Sequence, residues 1–209
     1  MAAFNHNLKY RPLRGGIAVL NPKVNKTGTI GFIATSDDQD RWMISCYHVL
    51  GRIDFSLFAE GEPIYQPSED MLPAVAAASV LRSNAALDCA AAKLEPGVDG
   101  VGHILGLCPL TGLSDPVVGM RVIKSGCVTG VTEGLITDVQ GNEVVIGLLP
   151  GFAANFELSA EGDSGAAWVE ASTGAIVALH KAGSSFGAHE ARGTSIKPVL
   201  AALQLRLIA

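Results

Sequence analysis

Short apolar runs recur along almost the whole chain, each closed by glycine, proline, asparagine or aspartate. They are GIAVL (16–20), GTIGFIATS (28–36), RWMISCYHV (41–49), AALDCAAAKL (85–94), RVIKSG (121–126), GVTEGLITDV (130–139), EVVIGLL (143–149), SGAAWVE (164–170) and GAIVALHKA (174–182). Most are rich in Val, Ile and Thr, which pack well on a pleated surface, so each predicts a strand. Only the C-terminal stretch SIKPVLAALQLRL (195–207) has a helical period. It carries Ile196, Val199, Leu200, Leu203 and Leu207 on one face and Pro198 in its first turn. The alanine-rich LPAVAAASVL (72–81) fits a helix or a strand equally. Many short strands and one terminal helix predict an all-β barrel or sandwich.

The pattern thins over residues 94–119, which hold Pro96, Pro109 and Pro116 and read as a connecting loop. The expected organisation is an N-terminal extension (1–14), a first β-unit (15–105), and a second β-unit (106–209) with the terminal helix packed on it. A cleft between two such units is a natural ligand site.

Composition narrows the class. Of 209 residues, 48% are hydrophobic and 17% charged, which supports a sizeable core and excludes general disorder. The net charge is −5 and the longest basic cluster is Lys9, Arg11 and Arg14, so a nucleic-acid surface is not expected. No window reaches the roughly 18 apolar residues that a spanning helix needs, and no membrane association is expected. The N-terminal MAAFNHNLKYRPLRGG lacks the apolar segment of a secretion signal. Cys46, Cys89, Cys108 and Cys127 show no framework spacing, which predicts reduced thiols and a cytoplasmic setting.

The chemistry concentrates in SAEGDSGAAW (159–168). Glycines on both sides of Ser164 leave its hydroxyl uncovered. A hydroxyl is a weak nucleophile and needs a base, and acyl transfer needs donors for a developing oxyanion. The N–H groups of Gly162 and Ser164 are the candidate donors. His48, at the end of an apolar strand and before Gly51, is the candidate base. Asp88 is an acid within an apolar run, where a buried carboxylate needs a partner such as an imidazole N–H. Asp70 and Asp99 lie in loop-like surroundings and are weaker choices.

In the order His48, Asp88, Ser164, the chain resembles the trypsin-like serine peptidase family, and in particular its intracellular bacterial and plant-type members. The resemblance rests on SCYHVLG, LDCAAAKL and EGDSGAAW in that order, with VIKSGCVTGVTEGLI similar to a hairpin common in bacterial and plant members. It covers roughly residues 15–205. It implies a double six-stranded β-barrel with a C-terminal helix, and a serine endopeptidase acting on protein or peptide substrates without a cofactor. The departures are Val49 where a disulfide cysteine follows the family's histidine, and Ala166 where many members have Gly or Pro. RGGI (14–17) is faintly similar to an activation cleavage site, after which Ile17 would pair with Asp163. Intracellular members dispense with that step, which leaves Asp163 as a structural holder of the loop.

The resemblance also places the specificity pocket. Its base is Leu158, six positions before Ser164, so a basic P1 residue is disfavoured. Ser159 and His180 occupy positions that contact P1 in glutamate- and glutamine-selecting members, and the reading stays open between that polar pocket and an apolar one floored by Leu158. Lys181, Ala182 and Gly183 form the edge that would hold the substrate backbone as an added strand. Lys124 and Lys181 read as solvated. Trp42 and Trp168 read as core aromatics, and His6, His103 and His189 as loop residues. Cys46 and His48 form half of a metal pair with no second pair at ligand spacing, so no metal is expected. The competing functional class is a latent or non-catalytic peptide-binding module. The sequence names no activator.

Overall fold

A computed structural model of the chain describes residues 4–68, 70, 72–151, 156–183 and 189–208. The first half holds strands β1 (Leu13–Gly15), β2 (Ala18–Asn21), β3 (Lys26–Thr29), β4 (Phe32–Thr35) and β5 (Arg41–Ser45), then a single helical turn α1 (Tyr47–Leu50). Strands β6 (Glu62–Ile64), β7 (Ala76–Asn84), β8 (Cys89–Leu94) and β9 (Gly100–Ile104) follow. The second half holds β10 (Gly112–Leu113), β11 (Arg121–Gly126), β12 (Gly130–Gln140), β13 (Glu143–Gly147), β14 (Ala167–Glu170), β15 (Ala175–Gly183) and β16 (Glu190–Ser195). Helix α2 (Ile196–Leu203) and strand β17 (Arg206–Leu207) end it.

The second half closes as a barrel in the order β15-β14-β11-β12-β13-β16, with β16 pairing back on β15 and β10 added in parallel along β15. The first half is a six-stranded sheet, β17-β4-β5-β8-β7-β6. The β2–β3 hairpin bridges its open side, where Leu20 and Tyr65 exchange N–H···O bonds of 3.0 and 2.9 Å. The all-β architecture agrees with the sequence pattern. The 72–81 segment is resolved as strand β7, and the 94–119 stretch contributes β9 and β10 rather than remaining a loop throughout. His103 lies on β9, not in a loop.

Period-2 alternation explains the inward faces. Along β12, Thr132, Gly134 and Ile136 alternate with more exposed neighbours. Strand β8 is buried at every position except Lys93, and its alanines let β5 and β7 approach from either side. Two apolar cores result. One gathers Phe32, Ile33, Met43, Ile44 and Ile64, and the other gathers Val122, Ile136, Val144, Ile146, Trp168 and Val177.

The terminal helix departs from expectation. Its buried residues Ile196, Val199, Leu200 and Leu203 belong to the first core, not the second. It lies against β7 and β8 as well as β15 and β16, and β17 then pairs with β4. The apolar period specifies which face is buried but not what covers it. Arg82 of β7 fastens the helix end: its guanidinium donates to the carbonyls of Leu203 and Gln204 at 2.7 Å each and lies 4.7 Å from the Trp42 ring centroid. Arg82→Ala removes charged donors from two orphan carbonyls and a cation–π contact. The expected loss is about 1–2 kcal/mol in urea unfolding, with early proteolytic nicking of the C-terminal segment.

Candidate active site

Cys46 leaves the β5 ladder in extended conformation and starts the α1 turn. Tyr47, Val49 and Leu50 are buried, and His48 is the one side chain of the turn directed to the outside. His48 therefore sits on a helical turn, a correction to the expected strand end. Phe55 stacks on Tyr47 at 5.9 Å and meets the His48 ring edge-on at 6.3 Å.

Asp88 arrives from the neighbouring strand. The β5–β8 ladder ends with Ser45 opposite Ala90, so Asp88 comes level with the α1 turn. It adopts φ +49, a left-handed conformation that aspartate tolerates better than most residues. One carboxylate oxygen accepts the His48 backbone N–H at 3.1 Å, and the other faces His48 Nδ1 at 2.8 Å. Two bonds to one carboxylate fix both the position and the tilt of the imidazole. Nδ1 carries a proton here and Nε2 is left with its lone pair.

Ser164 lies on the turn between β13 and β14. Gly162 has φ +104 and Gly165 has φ +94, a region only glycine enters freely. A side chain at Gly165 would run into the Ser45 hydroxyl and the Thr29 carbonyl. Residues of the first unit hold this turn. Thr29 donates its N–H to Ser164 O and its hydroxyl to Gly162 O, both at 2.8 Å. Ser45 Oγ donates to Thr29 O at 2.7 Å, and the Cys46 thiol donates to His180 O at 3.1 Å. The Ser164 hydroxyl donates to Lys181 O at 3.3 Å. Among the described residues, it makes no hydrogen bond to His48, and the N–H groups of Gly162 and Ser164 have no backbone acceptor.

Asp163 and Lys124 are both fully buried and joined at 2.8 Å. This overturns the expectation of a solvated Lys124. On β11 it shares the inward parity of Val122, so the strand turns it into the barrel. Asp163 also accepts N–H groups of Val128 (3.0 Å), Thr129 (3.2 Å) and Ala160 (3.2 Å) and the Thr129 hydroxyl (2.6 Å). Desolvation pushes its carboxyl up, but the Lys124 charge and these donors outweigh burial and hold it at about 2. Ile17 is buried mid-chain and takes no part; the cation that meets Asp163 is Lys124.

The predicted pocket residues lie around β15. His180 is buried, and desolvation, reinforced by the Lys124 charge, holds it at about 3, so the ring is neutral. Trp168 Nε1 faces its Nδ1 at 3.4 Å, and an indole only donates, which leaves the ring proton on Nε2. Ser159 Oγ is buried, has no hydrogen-bond partner among the described residues, and faces Gly183, where a side chain would approach it to 2.8 Å. Leu158 is fully buried within the second apolar core. Lys181 pairs with Glu143 at 2.6 Å and is half-buried rather than freely solvated, while Ala182 and Gly183 are exposed.

The sequence reading missed Lys124, Thr29, Thr129 and Trp168 as supports of the site. Only Lys124 had a signal, its parity with Val122. Lys124→Met strands a buried carboxylate, with an expected loss of about 3–5 kcal/mol near neutral pH. Because folding depresses the Asp163 value from 3.8 to about 2, its contribution of about 2 kcal/mol is present above pH 3.8 and fades as pH falls through 2. Urea unfolding of both proteins at pH 7 and pH 2 checks this: the gap between them is expected to narrow in acid.

No family model matches the chain, and no curated protein matches it. Solved structures do. The chain is similar to a glutamic-acid-specific serine protease that uses a histidine triad in substrate binding, with TM-score 0.73, 18% identity, and coverage of 94% of this chain and 100% of that one. It is similar to a Nocardiopsis protease, with TM-score 0.68, 17% identity, and coverage of 94% and 99%. The α-lytic protease homologue N4 matches at TM-score 0.66, 22% identity, and coverage of 94% and 99%. Together with the closed barrel and the curled sheet, these likenesses establish that the chain has the chymotrypsin-like fold of serine proteases.

Proposed function

We propose that the protein is a serine endopeptidase with His48, Asp88 and Ser164 as its triad. The observation that carries the reading is Asp88 gripping both the backbone and the ring of His48, at 3.1 and 2.8 Å. That grip leaves Nε2 basic and turned away from the carboxylate. Ser164 attacks the peptide carbonyl, His48 takes its proton and returns it to the leaving amine, and Asp88 stabilises the imidazolium between the two steps. The N–H groups of Gly162 and Ser164, free of backbone acceptors, receive the oxyanion. Ala182 and Gly183 pair with β16, with Lys181 at a register shift, and β14 begins opposite Leu179, so among the described residues the other edge is open to a substrate strand. No cofactor is needed for these steps. The proposed division places His48 and Asp88 in the unit 15–105 and Ser164 in the unit 106–209, with substrate lying between.

The P1 preference follows from the polar groups. No acid underlies the pocket, so Arg and Lys are disfavoured. His180 is turned inward with its proton on Nε2, and the Ser159 hydroxyl has no partner of its own. A neutral imidazole N–H and a free hydroxyl suit the carboxylate or amide of Glu or Gln. Leu158 is occupied in the core, which weighs against an apolar floor. The similarity to a protease specific for glutamic acid supports the same choice.

A fluorophosphonate probe with intact-mass readout tests the triad. The expected result is one adduct on the folded wild type, none on Ser164→Ala, and labelling slowed about 10³-fold or more in His48→Ala and Asp88→Asn. An unlabelled, folded wild type would favour the latent peptide-binding reading, in which Ser164 stays on Lys181 O. A library scan over P1 is expected to show cleavage after Glu or Gln, lost in His180→Leu; cleavage confined to Leu, Phe and Tyr would sink the polar pocket.

A further inference from the structure

The sequence separates Cys46 and His48 from any further ligand pair, but the β5–β8 pairing supplies a third donor from another strand. Cys46 Sγ, a ring nitrogen of His48 and a carboxylate oxygen of Asp88 lie within 4.8 Å of one another. The nitrogen on that side is Nδ1, since it faces Asp88 at 2.8 Å. Cys46 is buried, whereas the His48 side chain is 23% exposed. A thiolate, an imidazole and a carboxylate are the donor set of a borderline-soft ion with tetrahedral preference. Zinc–donor distances of about 2.0–2.3 Å put neighbouring ligands roughly 3.5 Å apart, so the imidazole–carboxylate pair at 2.8 Å has to open by about 0.7 Å while the wider separations, at most 4.8 Å, close by about 1 Å.

We propose that Cys46, His48 and Asp88 form a divalent-metal site of the zinc type whose occupation switches the triad off. The metal–sulfur bond forms as the thiol proton leaves to solvent. The metal takes the Nδ1 lone pair, the Nδ1 proton is lost, and Nε2 takes one up, so the ring stays neutral and one proton is released overall. The Nδ1–H···Asp88 hydrogen bond is replaced by a carboxylate–metal bond. The imidazole then carries its proton on Nε2, the nitrogen that must be bare to accept the Ser164 proton. Metal and catalysis demand opposite tautomers of one ring. The inhibition rests on the protease reading above, while the binding itself does not.

The test uses the full chain carrying Cys108→Ser, which removes the exposed thiol. Cadmium is titrated while the ultraviolet thiolate-to-cadmium band is followed, and fluorophosphonate labelling is timed with and without micromolar zinc. The expected result is a band saturating at one equivalent and absent from Cys46→Ala, and labelling slowed at least tenfold by zinc and restored by a chelator. Zinc sensitivity in Cys46→Ala, read as the ratio of that variant's own labelling rates without and with zinc, should fall at least tenfold. Cys46→Ser, closer in shape, carries the same comparison should the alanine variant not fold. No cadmium band, or a band or zinc sensitivity unchanged in the Cys46 variants, would overturn the proposal. A protein that binds cadmium through Cys46 yet never reacts with the probe would overturn the protease reading and leave the metal site standing.

Discussion

A carboxylate placed in the interior has to be neutralised, and Asp163 is the demand around which the site is organised. It lies next to Ser164, fully buried, with five donors converging on it from Lys124, Val128, Thr129 and Ala160. Those donors come from the β11–β12 turn and from the loop itself. The loop cannot move without stripping partners from a charge that water does not reach. The conformation of the loop at Gly162, with φ +104, is thereby maintained by an internal cation. A lysine on a strand performs this wherever the strand is folded, so the readiness of the loop is a property of the barrel.

The second constraint is the seam between the halves. Thr29 alone makes three hydrogen bonds to second-half backbone, to Ser164 O, Gly162 O and Cys127 N. Cys46, two residues before His48, donates to His180 O. The histidine side and the serine side are each tied to the backbone of the other half within a residue or two of the reacting groups. Relative displacement of the halves would break these bonds near the site, which is the kind of over-determination that positional chemistry needs.

Strand runs with branched residues and sharp turn formers were legible in the sequence, and so were the segments around His48, Asp88 and Ser164, because an acid, a histidine or an exposed serine in such a setting breaks an otherwise apolar pattern. What was not legible has physical reasons. Strands β1, β6 and β10 span two or three residues, too short for a period to register. Strand β16 reads EARGTS and owes its place to pairing with both β13 and β15, not to its own composition. Lys124 was read by residue type, which favours solvent, whereas its parity with Val122 pointed inward. The helix at 196–203 showed its apolar face plainly but not the partner, since the face fits either core in hydrophobicity and only the chain path selects the first.

The last ordered strand carries a consequence for how the molecule comes into being. Strand β17, formed by Arg206 and Leu207, borders β4, and α2 fills part of the first core with Arg82 closing over its end. The half of the chain that leaves the ribosome first therefore waits for residues made long after it. Until then β4 presents an unpaired edge and the core lacks the apolar side chains of α2, a state disposed to stick to its own kind. Contacts of such long sequence separation make folding slow and late.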